Sequence, residues 1–135
     1  MTFLTTGLGP LDRAHRDLDR CLRDLRVAFL ARDARELRGR SCLVVEKLAE
    51  HFADEEQLMR ASGWPQLAPH MGRHARLLAH ARRFEQEVVR RGITHHVASW
   101  ALTRLPEMVR FHMVTSDYGF GVWLSAQRQG SHRIH

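Results

Sequence analysis

Read along the chain, apolar residues recur at alternating spacings of three and four, the interval at which side chains share one face of a bundle helix. Leu37, Ser41, Val44, Leu48, His51, Glu55 and Leu58 form one such stripe, and Leu67, His70, His74, Leu77, Ala81, Phe84 and Val88 form another. Upstream, Leu11, Ala14, Leu18, Cys21, Leu25 and Ala28 obey the same rule, with His15, Leu22 and Phe29 at the neighbouring heptad position. Downstream, Ala101, Leu105, Met108 and His112 repeat it. No segment alternates with a period of two, so strands are not expected.

Punctuation divides this pattern into four helices. Gly9 and Pro10 suit a helix start and predict a first helix from about Leu11 to Ala31. Asp33, with Glu36 three residues later, caps a second helix that ends at Ser62 and Gly63. Pro65 and Pro69 fit only a turn and a first helical turn, so the third runs from about Gln66 to Arg91 and Gly92 closes it. The fourth begins within "THHVASW" and reaches at least Asp117, and Pro106 marks either its proper start or a kink. "DYGFGVWLSAQ" reads as a break followed by one short helix, and "RQGSHRIH" as a frayed tail. Short links between amphipathic helices predict an all-α, up-down-up-down four-helix bundle, one domain over residues 1–135.

Polar residues on the stripes change the picture. His51, Glu55, His70, His74 and His112 stand where the core should be, and His15 lies close enough beside its stripe to point inward. Asp117 comes five residues after His112, about 140° further round an ideal helix. It therefore joins the others only from the flank or through a local distortion, with Gly119 as an aid. An ionised carboxylate in an apolar interior must be paired, neutralised or metal-bound. Five histidines and two carboxylates complete a site for two metal ions, with both carboxylates and an oxide or hydroxide as bridges. Dividing the histidines three and two leaves the first ion six-coordinate and the second five-coordinate, with one vacant position. Mixed imidazole and carboxylate ligation suits iron (Fe2+/Fe3+), and a vacancy on a redox metal is where dioxygen binds.

In order along the chain, "LDRAHRDL", "HFADEE", "HMGRH" and "HMVTSD" carry an isolated helix-one histidine, HxxxE, HxxxH and HxxxxD, with 14 residues between Glu55 and His70. In these motifs nearly the whole chain resembles the hemerythrin family, specifically single-domain bacterial hemerythrins (bacteriohemerythrins). The resemblance implies that His70, His74 and His112 bind a coordinatively saturated iron, that His15 and His51 bind the iron with the open position, and that Glu55 and Asp117 bridge them. It also implies reversible two-electron oxidation of a diferrous centre by dioxygen in a dry apolar pocket, for oxygen storage, delivery or buffering, with no catalytic residues. Two departures stand out. Met108 and Val109 occupy positions where many relatives carry Trp-Leu, which alters the rim of the oxygen pocket, and Pro106 interrupts the usual fourth helix.

Composition bounds the partners. The net charge of +6 is almost wholly arginine, Lys47 being the only lysine. Acids and bases interleave in "LDRAHRDLDRCLRDLR", where Asp12 to Arg16 and Asp19 to Arg23 have pairing spacing, so the segment reads as a salt-bridged solvent face. Without an aromatic stacking platform this weighs against nucleic acid. The chain has no run of about 18 apolar residues and no basic-then-apolar start, which points to a cytoplasmic protein without a membrane span. Cys21 and Cys42 suggest no disulfide or zinc knuckle and read as small core or boundary residues. His80, His95, His96, His132 and His135 lie off the stripes and are expected at the surface. Glu56 and Asp54 are expected in solvent or beside the site, and Trp64 as a plug of the hairpin turn. Leu48, Phe52, Leu77, Met108 and Phe111 are expected near the ligands. Two alternatives to a carrier stay open: a di-iron enzyme (oxidase, peroxidase or nitric-oxide-consuming), and a sensor of oxygen or iron acting through a protein partner.

Overall fold

The computed structural model describes residues 9–133, and among them every regular element is helical. Three uninterrupted helices come first: α1 (Gly9–Leu30), α2 (Ala34–Ser62) and α3 (Leu67–Arg91). The fourth, α4 (residues 95–133), is continuous but uneven, with α-helical His95–Ser99, a π turn at Trp100–Arg104, α-helical Leu105–His112, a second π turn at Met113–Asp117 and α-helical Tyr118–Arg133. Together they form the expected four-helix bundle.

The boundaries follow from local chemistry. Arg32 takes a left-handed φ of 58° in the first turn, and the Asp33 side chain then accepts the Glu36 N–H at 3.0 Å. At the end of α2, Gly63 sits at φ 72°, a conformation that costs glycine least. There the N–H groups of Gly63 and Trp64 donate to the carbonyls of Arg60 and Met59. Thr94 opens α4 by accepting the Val97 N–H at 3.1 Å.

Pro106 neither starts α4 nor stops it. It falls in the first turn of the Leu105–His112 segment, immediately after a π turn in which the Leu105 N–H reaches back to the Trp100 carbonyl. Proline has no N–H for the carbonyl four residues earlier. That carbonyl, on Leu102, accepts instead from the Arg26 guanidinium of α1 at 3.4 Å.

The expected break at "DYGFGVWLSAQ" is absent, and the expected frayed tail is helical as far as Arg133. Glycine in a helix interior costs about 1 kcal/mol, so Gly119 and Gly121 argue for a break. Burying Phe120 and Leu124, which are 0% and 5% exposed, contributes roughly 1.5–3 kcal/mol each and outweighs them. Gly119 keeps an ordinary helical backbone with open space where a Cβ would go, so it gives Asp117 no special freedom.

The core has two apolar clusters. The larger gathers Leu18, Leu25, Leu48, Phe84, Leu105, Val109 and their neighbours, and the smaller holds Leu11, Met59, Phe120 and Leu124 with Trp64 packed against it. Between the two in register lies a layer of polar side chains. On α1 the stripe residues Leu11, Leu18, Cys21, Leu25 and Ala28 are buried, and so are His15, Leu22 and Phe29 beside them, so His15 points inward. Met59 is fully buried in place of Leu58, and Val109 is more buried than Met108. Phe111 is 69% exposed. Cys21 is buried and Cys42 exposed, both free.

One charged pair departs from the expected solvent face. Asp19 contacts Arg23 as its spacing suggests, yet it is only 1% exposed. It also reaches across the bundle to the Arg110 guanidinium of α4 at 3.3 Å. No helix among the described residues is long and apolar enough to cross a membrane.

Candidate metal centre

The polar layer is built from all four helices. α1 supplies His15, α2 His51 and Glu55, α3 His70 and His74, and α4 His112 and Asp117, all buried. On α2 and α3 the paired residues are four apart, which places both on one face of an α-helix. On α4 they are five apart, and the π turn resolves the angular mismatch. The Tyr118 N–H bonds to the Met113 carbonyl five residues back, so the inserted residue turns Asp117 onto the face of His112. The distortion required by the sequence is thus a π turn.

The two carboxylates divide their oxygens. Glu55 Oε1 lies 2.8 Å from His70 Nε2 and 3.1 Å from His74 Nε2, and Asp117 Oδ1 lies 3.0 Å from His70 Nε2 and 2.8 Å from His112 Nε2. On the other side, Asp117 Oδ2 is 2.9 Å from His15 Nε2 and 3.2 Å from His51 Nε2, while Glu55 Oε2 is 3.4 Å from His51 Nε2. Two donor sets result: Glu55, His70, His74, His112 and Asp117 in one, and His15, His51, Glu55 and Asp117 in the other, with ligand atoms of each set within 4.8 Å of one another. Glu55 and Asp117 belong to both.

The electrostatics suit cations. Burial, then the neighbouring Asp117 charge, push the Glu55 carboxyl well above its ordinary range. Burial acts on Asp117 in the same direction, but the surrounding imidazoles of His112, His15, His51 and His70 outweigh it and hold this carboxyl well below its usual range. Burial pushes His51 and His70 down, against the pull of Asp117, so both favour the neutral form whose Nε2 offers a lone pair. Glu55 Oε2, Asp117 Oδ1 and His112 Nε2 are buried without an aligned hydrogen bond. Two buried carboxylates and five imidazole nitrogens facing one another leave excess lone pairs, and a cation in each set removes the conflict. The residues present therefore fit metal ions, and the imidazole and carboxylate donors fit iron.

Neighbouring groups fix the imidazoles. With His74 Nε2 turned to the cluster, Nδ1 carries the proton and donates to Glu56 at 2.6 Å, which places Glu56 beside the site rather than in solvent. Phe52 stacks on the His74 ring, with centroids 3.9 Å apart and planes 8° from parallel. Trp64 meets His70 edge-on at 5.1 Å and Phe120 at 5.0 Å, so the hairpin plug also braces a cluster residue. The spacing signal for Phe52 was its place beside His51, whereas nothing local marks the Trp64 contact. Asp54 is exposed.

Hollows border each donor set. One of about 140 Å³ touches His51 and Glu55 and is lined by Pro10, Leu11, Ala14, Asp54 and Leu58. Another of about 230 Å³ ends on His112. Met108, expected on the rim of the two-histidine side, lines the hollow at His112 instead, and Val109 packs in the larger apolar cluster. Of the histidines assigned to the surface, His95 and His96 are exposed, while His80 is half-buried and stacked on Trp100 at 5.5 Å. The expectations for His132 and His135 fall outside the described side chains.

Residues 6–123 match the family model of the hemerythrin HHE cation binding domain. No curated protein matches the chain. The matched span contains all seven residues of the cluster, and the domain together with its buried histidines and carboxylates supports non-haem iron binding.

Proposed function

The chain belongs to the hemerythrin family, and from that premise we propose that it binds dioxygen reversibly at a di-iron centre, as a carrier or buffer and not as an enzyme. The observation that carries this reading is the division of Glu55 and Asp117, each turning one oxygen to a set of three imidazoles and the other to a set of two. Two iron ions held there would supply the two electrons that reversible dioxygen binding draws on and returns.

The remaining work falls to the side chains. His70, His74 and His112 fill one set, and the set of His15 and His51 is one imidazole short, which leaves room there for an external ligand. Glu56 holds the Nδ1 proton of His74 and fixes its tautomer, while Phe52 and Trp64 fix ring planes. Apolar clusters flank the layer on either side and limit solvent access to it, as reversible binding needs. The hollow of about 140 Å³ beside His51 has room for a small ligand.

The test is anaerobic loading with ferrous iron, then exposure to oxygen, then evacuation. A coloured adduct that bleaches on evacuation is expected; no colour, or colour that cannot be reversed, sinks the proposal. Steady turnover with a reductant and peroxide or nitric oxide would make the protein an enzyme instead. At the level of residues, Glu55→Ala and His74→Ala should lower iron content and the exposed His95→Ala should not. Full iron retention in Glu55→Ala would contradict its shared role.

A further inference from the structure

A groove separate from the oxygen reading runs along the seam of α3 and α4. Near the start of α4 a hollow of about 380 Å³ is lined by His80, Arg83, Phe84, Glu87, Arg90 and Trp100, with other side chains at its rim. The hollow of about 230 Å³ adjoins it through the shared His80 and ends on His112, between Arg73, Arg76, Leu77, Met108 and Phe111. Such sizes fall in the range of small-ligand sites, about 300–1,000 Å³ when taken together.

The α3 wall carries an ordered charge. Arg73, Arg76, His80, Arg83, Glu87 and Arg90 are spaced 3-4-3-4-3, a second heptad face beside the core stripe. Four other arginines, Arg23, Arg40, Arg91 and Arg110, each have an acid within reach. By contrast Arg73, Arg76, Arg83 and Arg90 have no acidic partner among the described residues, and Arg73 Nε is buried without a hydrogen bond. The single acid of the stripe, Glu87, lies 3.5 Å from Arg91. On the opposite wall Met108 and the exposed Phe111 stand beside His112, Thr115 and Ser116.

Guanidinium groups without acids, facing an exposed aromatic ring and a methionine, suit an anion with a flat apolar body. Guanidinium binds phosphate oxygens in pairs, and an exposed ring offers a stacking face. A single strand of nucleic acid would need such faces repeated along the track. Trp100 does not serve, since His80 and the Arg104 guanidinium, 5.6 Å from its ring, already engage it. Only Phe111 stands open. We propose that the α3–α4 groove binds a planar aromatic phosphate of mononucleotide size, its phosphate held by Arg76 and Arg83 and its ring seated on Phe111 and Met108 against His112. The ligand then shares a wall with the metal centre.

Calorimetric titration of the iron-loaded protein with flavin mononucleotide and with adenosine monophosphate tests this, and saturable binding of either supports it. The exposed pair Arg76→Glu and Arg83→Glu should weaken binding at least about tenfold, as loss of charge-assisted contacts does. Riboflavin, which lacks the phosphate, should bind more weakly than flavin mononucleotide by a similar factor. Phe111→Ser should weaken the aromatic ligands and leave inorganic phosphate unaffected. Absence of saturable binding by both ligands, unchanged affinity in the double charge reversal, or tighter binding of a short oligothymidylate would each overturn the proposal.

Discussion

The two π turns of α4 share a backbone form and differ in what demands it. The turn at Trp100–Arg104 stands directly before Pro106, and a covalent fact explains it: proline cannot donate to Leu102, whose carbonyl turns to Arg26 instead. The turn at Met113–Asp117 has no proline. It sits at the metal centre and carries Asp117 onto the face of His112. A π turn places the fifth residue about where an α turn places the fourth. HxxxxD on α4 thereby does the angular work that HxxxE and HxxxH do on α2 and α3. One irregularity is dictated by its own sequence; the other is held in place by tertiary demand.

The largest way to break this comparison is to change the residue count of the second turn. Inserting an alanine between Ser116 and Asp117 should rotate the carboxylate by about 100° and remove a donor common to both sets, so iron falls in both. Deleting Ser116 should let the turn close as an α turn with Asp117 still facing inward, and iron should stay. Metal analysis of the two variants checks this, and the reverse pattern would break the reading. A smaller effect is expected for Glu56→Gln, which weakens the hold on His74 Nδ1. Metal affinity should fall about 10-fold, within the roughly 10–100-fold range for such partners, as measured by chelator competition. Smallest is Pro106→Ala, which restores an N–H beside Leu102. Stability in a denaturant titration should move by about 1 kcal/mol or less, with iron content unchanged. Iron loss in that variant would show that the two turns act as one.

Much of this was open to reading in the chain. Polar residues at core intervals on α2 and α3 mark the positions that meet, because an α-helix turns four residues into one face without help. Asp117 is legible only as a misfit, since a 3.6-residue period has no place for an inserted residue. The two glycines around Phe120 suggest a break because propensity is local, whereas the burial that defeats it depends on Leu11 and Met59 of other helices. Asp19 misleads for the same reason. Its pairing with Arg23 looks sufficient, and the partner that explains its burial, Arg110, lies 91 residues away.

That buried aspartate bears on how α1 is joined to the cluster. α2, α3 and α4 each bring two residues to the layer, and α1 brings only His15. One side chain of the cluster therefore comes from α1. Asp19 lies one turn beyond His15 and grips Arg110, two residues before His112, so it ties α1 to α4 beside the cluster. The seven inward residues face the site directly, whereas Asp19 fixes α1 against α4 from one turn away without touching it.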